Sequence, residues 1–247
     1  MQVEINARVL ATTLNSVRHF RLSGWELEGR PILGTISVEI AGGQLLAAAA
    51  DGFMLGARRI PVSGKGSASF LVPFDAVDSL RKFLGKPADG ETAVLTVDGR
   101  KTKLPRSVTV RFNGASFSFD EFTGKYPDIR KLTASSLARL KRGQERTPRI
   151  ALNPDLLGRI VKAMKDSNGL VTRWYFRGDH DPCAITWRSD LEGNEDAYGA
   201  RFLILLMPMY VNWGDEQDEG KKLDKYEPLA KVIEEVFGKE AVGGATP

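Results

Sequence analysis

The sequence predicts an α+β fold in which short amphipathic helices cover antiparallel sheets. Three segments share one order of events: an extended stretch, a cap residue, an amphipathic helix and then a run of strands. They recur at intervals of about 65–80 residues, the signature of an internal repeat. The strand runs are short and joined by glycine-rich turns, with no helix between consecutive strands. That favours antiparallel pairing with the helices gathered on one face.

The first helix follows Glu4-Ile5, takes Asn6 as its cap and reaches about Phe20. The second follows Phe70-Leu71-Val72, with Pro73 near its first turn, and ends near Leu84. The third follows Ile150-Ala151-Leu152 and opens on Asn153, Pro154 and Asp155. An Asn side chain accepts from a free N–H at a helix start, and proline there has no N–H to satisfy, so this start signal is strong. The helix ends near Lys165, before Ser167-Asn168-Gly169.

Strands are expected between these helices. Ile32–Ile40 and Leu45–Ala50 flank Ala41-Gly42-Gly43-Gln44 as a hairpin, and Phe53–Val62 continues the sheet. Ala93–Val97, Val108–Phe112 and Ala115–Phe119 follow the second helix. Leu170–Phe176, Cys183–Arg188 and Ala200–Met209 follow the third. Thr133–Arg149 carries Arg139, Lys141, Arg142, Arg146 and Arg149 against Glu145 alone, and reads as an exposed basic linker. Trp213–Gly220 reads as an acidic loop leading to a helix from Asp224 to Phe237, with Leu229, Val232, Ile233, Val236 and Phe237 as its apolar residues.

The helix faces are amphipathic. On the third, Leu156, Leu157, Ile160, Val161 and Met164 share one side, with Arg159, Lys162 and Lys165 opposite. On the first, Val9, Leu10, Leu14 and Val17 oppose Arg8, Asn15, Arg18 and His19. On the second, Arg81, Lys82 and Lys86 share the polar face with Asp75 and Asp78. Each polar face read alone is an ordinary solvated surface. Read together, they form a basic surface suited to phosphates, which carry charge and no base identity.

Charge is distributed unevenly. The chain of 247 residues has a net charge of +4, but residues 213–247 carry −4 and the remainder +8. A basic body with an acidic end favours a polyanionic partner. The single cysteine, Cys183, forbids an internal disulfide and any site of several thiolates, and reads as a buried small apolar residue. Met1–Leu10 has no apolar run, and Phe202–Val211 falls well short of the roughly 20 residues that cross a bilayer. A cytoplasmic protein with no membrane partner is expected.

Catalytic chemistry is sparse. The two histidines are His19 and His180, and no nucleophile elbow, Walker loop or dinucleotide fingerprint occurs. Asp179, His180, Asp181 and Cys183 form a compact set of possible ligands, but Gly178–Pro182 is also ordinary turn chemistry. The expectation is a binding protein rather than an enzyme, with no cofactor and no metal.

Three short stretches then stand out together. Ala48-Ala49-Ala50-Asp51-Gly52-Phe53-Met54-Leu55, Gly124-Lys125-Tyr126-Pro127-Asp128-Ile129-Arg130 and Leu206-Met207-Pro208-Met209 occur in that order. They resemble segments of the bacterial DNA polymerase III beta subunit, the DNA sliding clamp. The resemblance makes residues 1–132 a complete clamp domain like the family's middle one and residues 149–211 the second half of its last domain. Residues 133–148 remain a basic linker, and 212–247 have no counterpart. The first family domain and the first half of the last are missing.

The resemblance implies sheets outside and helices inside a ring that encircles duplex DNA without sequence specificity. Inner helices Arg8–Phe20, Phe74–Leu84 and Pro154–Lys165 would present Arg8, Arg18, Arg81, Lys82, Arg159, Lys162 and Lys165 to DNA. It also implies a pocket for short peptide motifs of a DNA polymerase and a clamp loader. Its lining would be Leu33, Gly52, Phe53, Met54, Leu55, Pro127, Lys131, Leu132, Leu205, Met207, Pro208 and Met209. Family rings hold twelve helix-led units and this chain shows three, so a homo-oligomer is expected, a tetramer by that arithmetic. A trimer needs the C-terminal helix as a fourth unit. A clamp-derived adaptor that binds peptides without encircling DNA is the alternative.

Overall fold

A computed structural model describes residues 1–99, 105–141, 152–167, 169–176, 182–189 and 201–207. The predicted repeat is visible in the strand pairing. The first unit comprises β1 (Gln2–Asn6), α1 (Ala7–Val17), β2 (Ile36–Ala41), β3 (Gln44–Ala50) and β4 (Met54–Pro61). The second comprises β5 (Ala68–Val72), α2 (Phe74–Leu84), β6 (Thr92–Val97), β7 (Ser107–Phe112) and β8 (Ala115–Asp120). A helix α3 (Ile129–Lys141) follows. The third unit supplies α4 (Pro154–Asp166), β9 (Gly169–Tyr175), β10 (Cys183–Ser189) and β11 (Arg201–Leu206).

All strand pairs are antiparallel, in two sheets ordered β1-β6-β7-β8 and β5-β2-β3-β4-β11-β10-β9. The first two units exchange their leading strands: β1 pairs with β6, and β5 pairs with β2. The third unit joins the first through β11 and β4, pairing Leu205 with Leu55 and Leu206 with Met54.

Local chemistry explains the helix starts. The Asn6 side chain accepts from the Val9 N–H at 3.0 Å, and the Asn153 side chain accepts from the Asp155 N–H at 2.8 Å. Each satisfies a donor that the helix itself cannot. The β2–β3 turn places Gly42 and Gly43 at φ +57° and +73°, the left-handed pair that a tight hairpin requires.

The main core lies between the helices and both sheets. It joins Val9, Leu10, Leu14 and Val17 of α1 to Val77 and Leu80 of α2, Ile160 and Ala163 of α4, and inward residues of both sheets. Phe20 packs against Phe202 with ring centroids 6.0 Å apart, tying the first unit to the third. Gly56 of β4 makes room for it, since a Cβ there would lie 2.2 Å from the Phe20 ring. Cys183 is buried, and burial pushes its thiol up to about 12.

Several expectations are corrected. The strand predicted from Ile32 begins at Ile36, because Pro31–Gly34 forms a 3₁₀ turn whose Gly34 lies under Leu27. The first helix is regular only to Val17, and Arg18–Phe20 tightens into a 3₁₀ turn. The stretch from Thr133 read as an open linker is helical to Lys141. Asp128 Oδ1 accepts from the Lys131 N–H at 2.9 Å at the helix start, and the buried Thr133 hydroxyl bonds back to the Ile129 carbonyl. Basic residues masked the apolar spacing there. Val161, placed on the buried side of the third helix, is 47% exposed. The acidic loop, the C-terminal helix and Asp179–Asp181 lie outside the described residues.

Gly56→Ala should lower stability by about 1–3 kcal/mol, because the added methyl overpacks the Phe20 site. Thermal or urea denaturation monitored by circular dichroism measures it.

Candidate functional site

The helix layer comes first. α1 packs against both α2 and α4, so it lies in the middle. Its partly exposed positions are Arg8, Thr12, Asn15 and Arg18, spaced three or four residues apart and therefore on one side. On α2 the exposed positions from Asp75 onward include Ser79 and Lys82, with Lys86 just beyond the helix. On α4 they include Asp155, Gly158, Val161, Lys162 and Lys165.

The basic residues divide into two groups. The arginines are tied into the architecture. Asp78 of α2 bonds Arg21 at 2.8 Å and lies 3.6 Å from Arg18 and 3.7 Å from Arg81. Burial alone raises its carboxyl, but the Arg21 hydrogen bond and the charges of Arg21, Arg18 and Arg81 together hold it below the usual range. Arg21 also donates to the Phe74 carbonyl and lies 4.0 Å over the Phe74 ring. Arg8 pairs with Asp89. The lysines Lys82, Lys162 and Lys165 are exposed.

Arg159, expected on the free polar face, is instead a connector. Its Nε donates to the His19 carbonyl at 2.6 Å and one Nη to the Arg21 carbonyl at 3.1 Å. Its other Nη pairs with the buried Asp51 carboxylate. A guanidinium suits this role because its five donors fan out in one plane. His19 Nε2 lies 2.7 Å from Asp166 Oδ2 of α4. Burial pulls the His19 imidazole down and Arg18 adds to this, against the opposing hydrogen bond that Asp166 accepts.

Asp51 shapes the second surface. Its Oδ1 accepts from the Phe53 and Met54 N–H groups, each at 2.8 Å, and Gly52 takes φ +101°. This turn carries Phe53 at its tip, 55% exposed. The Phe53 carbonyl accepts from the Met207 N–H at 3.0 Å, which places the end of β11 beside the turn. Leu55, Leu205 and Ile129 meet in a second apolar cluster with Leu46, Ala48, Ala50, Ala57, Ala184 and Leu203. Tyr126 closes it, with its hydroxyl accepting from the Ala50 N–H at 2.9 Å, and burial raises that phenol.

Among the described residues, four large apolar side chains are exposed: Phe53, Leu132 (44%), Met207 (38%) and Val161. Three of these belong to the expected peptide pocket. Pro127 lines a cleft of about 230 Å³ with Ser37, Glu39, Ala48 and Arg130, and Lys131 is exposed on α3. Two expected lining residues lie outside the second apolar cluster. Met54 alternates with Leu55 along β4 and joins the main core, and Leu33 is buried in the 3₁₀ turn. Pro208 and Met209 lie outside the described residues. Sequence reasoning missed Asp78, Asp166 and Arg21 as partners. It also omitted Tyr126 and Ile129, although both stand in the Gly124–Arg130 stretch.

Solved structures share this fold. The DNA polymerase III beta subunit of Thermotoga maritima matches 86% of this chain with a TM-score of 0.61 at 16% identity. The DNA polymerase sliding clamp of Bacillus subtilis matches 86% with a TM-score of 0.60 at 15% identity. This chain has the sliding-clamp fold. The beta sliding clamp of C. crescentus matches 85% with a TM-score of 0.57 at 16% identity. The match covers 66%, 65% and 66% of these three clamps, so this chain spans about two thirds of their length. No protein-family model matches the sequence, and no curated protein does.

Arg159→Met should lower stability by about 2–3 kcal/mol, because it leaves the Asp51 carboxylate buried and unpaired. Adding Asp51→Asn should recover part of that loss in a double-mutant cycle by urea denaturation.

Proposed function

We propose that this chain is a non-catalytic processivity clamp. Copies close a ring around duplex DNA, and the apolar surface at Phe53, Leu132 and Met207 docks short peptide motifs of a DNA polymerase and a clamp loader. The observation that carries the reading is the helix layer of the clamp fold. Its arginines are held by Asp78, Asp89, Asp166 and Asp51, while Lys82, Lys162 and Lys165 remain exposed. Flexible exposed lysines suit contacts that must not select a sequence or fix a register. A tethered polymerase rebinds intramolecularly at high effective concentration, so processivity rises without tighter binding at its own active site.

Two further features fit. Among the described residues, the sheets end on β1 and β8 and on β5 and β9, whose outer edges carry no ladder partner. Such edges are ready-made places for another chain to pair. The fold also leaves apolar area at the β4–β11 junction, where a peptide can bury side chains between sheet, turn and α3. No helix among the described residues is long and apolar enough to cross a membrane.

Replacing Lys82, Lys162 and Lys165 together by Glu should weaken binding to a duplex of any sequence. The slope of log K against log salt should fall by roughly 0.9 for each phosphate that is no longer neutralised. Fluorescence anisotropy across a salt series reads this, and an unchanged slope contradicts the DNA-facing role. Leu132→Glu should leave that slope intact and weaken capture of the cognate polymerase by about tenfold or more, measured by surface plasmon resonance. Equal capture by both forms contradicts the docking role.

A further inference from the structure

One ladder row crosses the outer face of the larger sheet. Ala50 pairs with Leu55, Leu55 with Leu205, Leu205 with Ala184 and Ala184 with Tyr175. Residues opposite each other in a ladder share a face, so the row is one strip of side chains from β3 to β9. Its four aliphatic members belong to the second apolar cluster, and Tyr126 and Tyr175 pack against that cluster.

The two tyrosine hydroxyls differ. That of Tyr126 accepts from the Ala50 N–H at 2.9 Å, at the β3 end of the row. That of Tyr175, at the β9 end, is buried from solvent and has no hydrogen-bond partner. A hydroxyl taken from water without a partner destabilises the chain that holds it, whereas a phenylalanine ring would fill the same space without that cost. Asp78 Oδ1 is also buried without a hydrogen bond, but it has the Arg18 and Arg81 charges at 3.6 and 3.7 Å. The Tyr175 hydroxyl belongs to a ring packed on apolar side chains.

The row leads to the exposed apolar surface. Side chains alternate along a strand, so the face that carries Leu205 meets Met207, 38% exposed, just beyond the end of β11. Tyr175 stands two strands from Leu205 in the sheet order. At the usual strand spacing that is about 10 Å. Roughly three residues of extended chain span it.

We propose, resting on the peptide-docking reading, that Tyr175 is a specificity-determining residue of that surface and donates its hydroxyl to a main-chain carbonyl of the bound peptide. The occupant is an extended partner peptide whose apolar side chains meet Leu132 and Met207. A surface that serves several peptides needs a contact common to all of them, and the main chain supplies one. The Tyr175 ring is only half-buried, so rotation about its side-chain bonds carries the hydroxyl to the ligand with β9 in place.

The probes are peptides selected from a displayed random library on the full wild-type chain, keeping those that Leu132→Glu does not bind. Tyr175→Phe removes the oxygen alone. It should bind these peptides about threefold to tenfold more weakly by fluorescence anisotropy, the loss of one neutral hydrogen bond. Its melting temperature should be unchanged or raised, because the free chain loses no bond. Equal binding overturns the proposal, and so does a lowered melting temperature, which would show the hydroxyl to be bonded in the free chain. A binding deficit that disappears when one peptide side chain is replaced by alanine overturns the main-chain contact. If no selected peptide depends on Leu132, the docking reading fails and takes this role of Tyr175 with it. Equal binding by Tyr175→Phe to Leu132-dependent peptides removes the role of Tyr175 alone.

Discussion

The junction between β4 and β11 joins the first and third units in one sheet. Its register pairs Leu205 with Leu55 and Leu206 with Met54. A slip of one residue would turn every side chain on one strand to the other face. The register therefore decides at once what enters the core and what builds the second apolar cluster. Phe20 and Phe202 meet on the inner side over Gly56, while Leu55 and Leu205 join Ile129 on the outer side. Arg159 secures the same junction from the helix layer, reaching Asp51, His19 and Arg21 together. The strand seam, the turn that presents Phe53 and the seat of α4 are thus mechanically one element.

That coupling has an electrostatic consequence. Asp51, Asp78, Asp89 and Asp166 each hold an arginine or His19, and they sit where helices meet each other or the adjoining turns. Partly buried charge-assisted hydrogen bonds fix the contacts at Asp51, Asp78 and Asp166, while the Arg8–Asp89 pair is exposed. Lys82, Lys162 and Lys165, by contrast, are exposed, on long side chains with many rotamers.

The repeat, the helix starts and most strands were legible from the sequence because their signals are local: a cap residue, a proline, alternation, a pair of glycines. The α+β class followed from them, and the clamp likeness came from the three short stretches Ala48–Leu55, Gly124–Arg130 and Leu206–Met209. What escaped was tertiary. Arg159 reads as solvent-facing by helical spacing, yet Asp51, distant in sequence, draws it inward. Val161 reads as core, but core requires a covering unit that this chain does not place over it among the described residues. The helix at Ile129 was hidden because Arg130, Lys131, Arg139 and Lys141 are interleaved with its apolar residues. Of the residues the motif singled out, Leu55 and Leu205 share the second apolar cluster and Leu132 and Met207 are exposed. The motif did not separate Met54 from Leu55, because a motif carries no strand parity.

The most direct test of encirclement is topological. The protein should be loaded onto nicked circular duplex, washed in high salt, and the DNA then cut once with a restriction enzyme. Retention on the circle and rapid loss on linearisation are predicted, because an encircling ring slides off free ends. Equal retention before and after cutting, or loss from the intact circle in high salt, would contradict the clamp function.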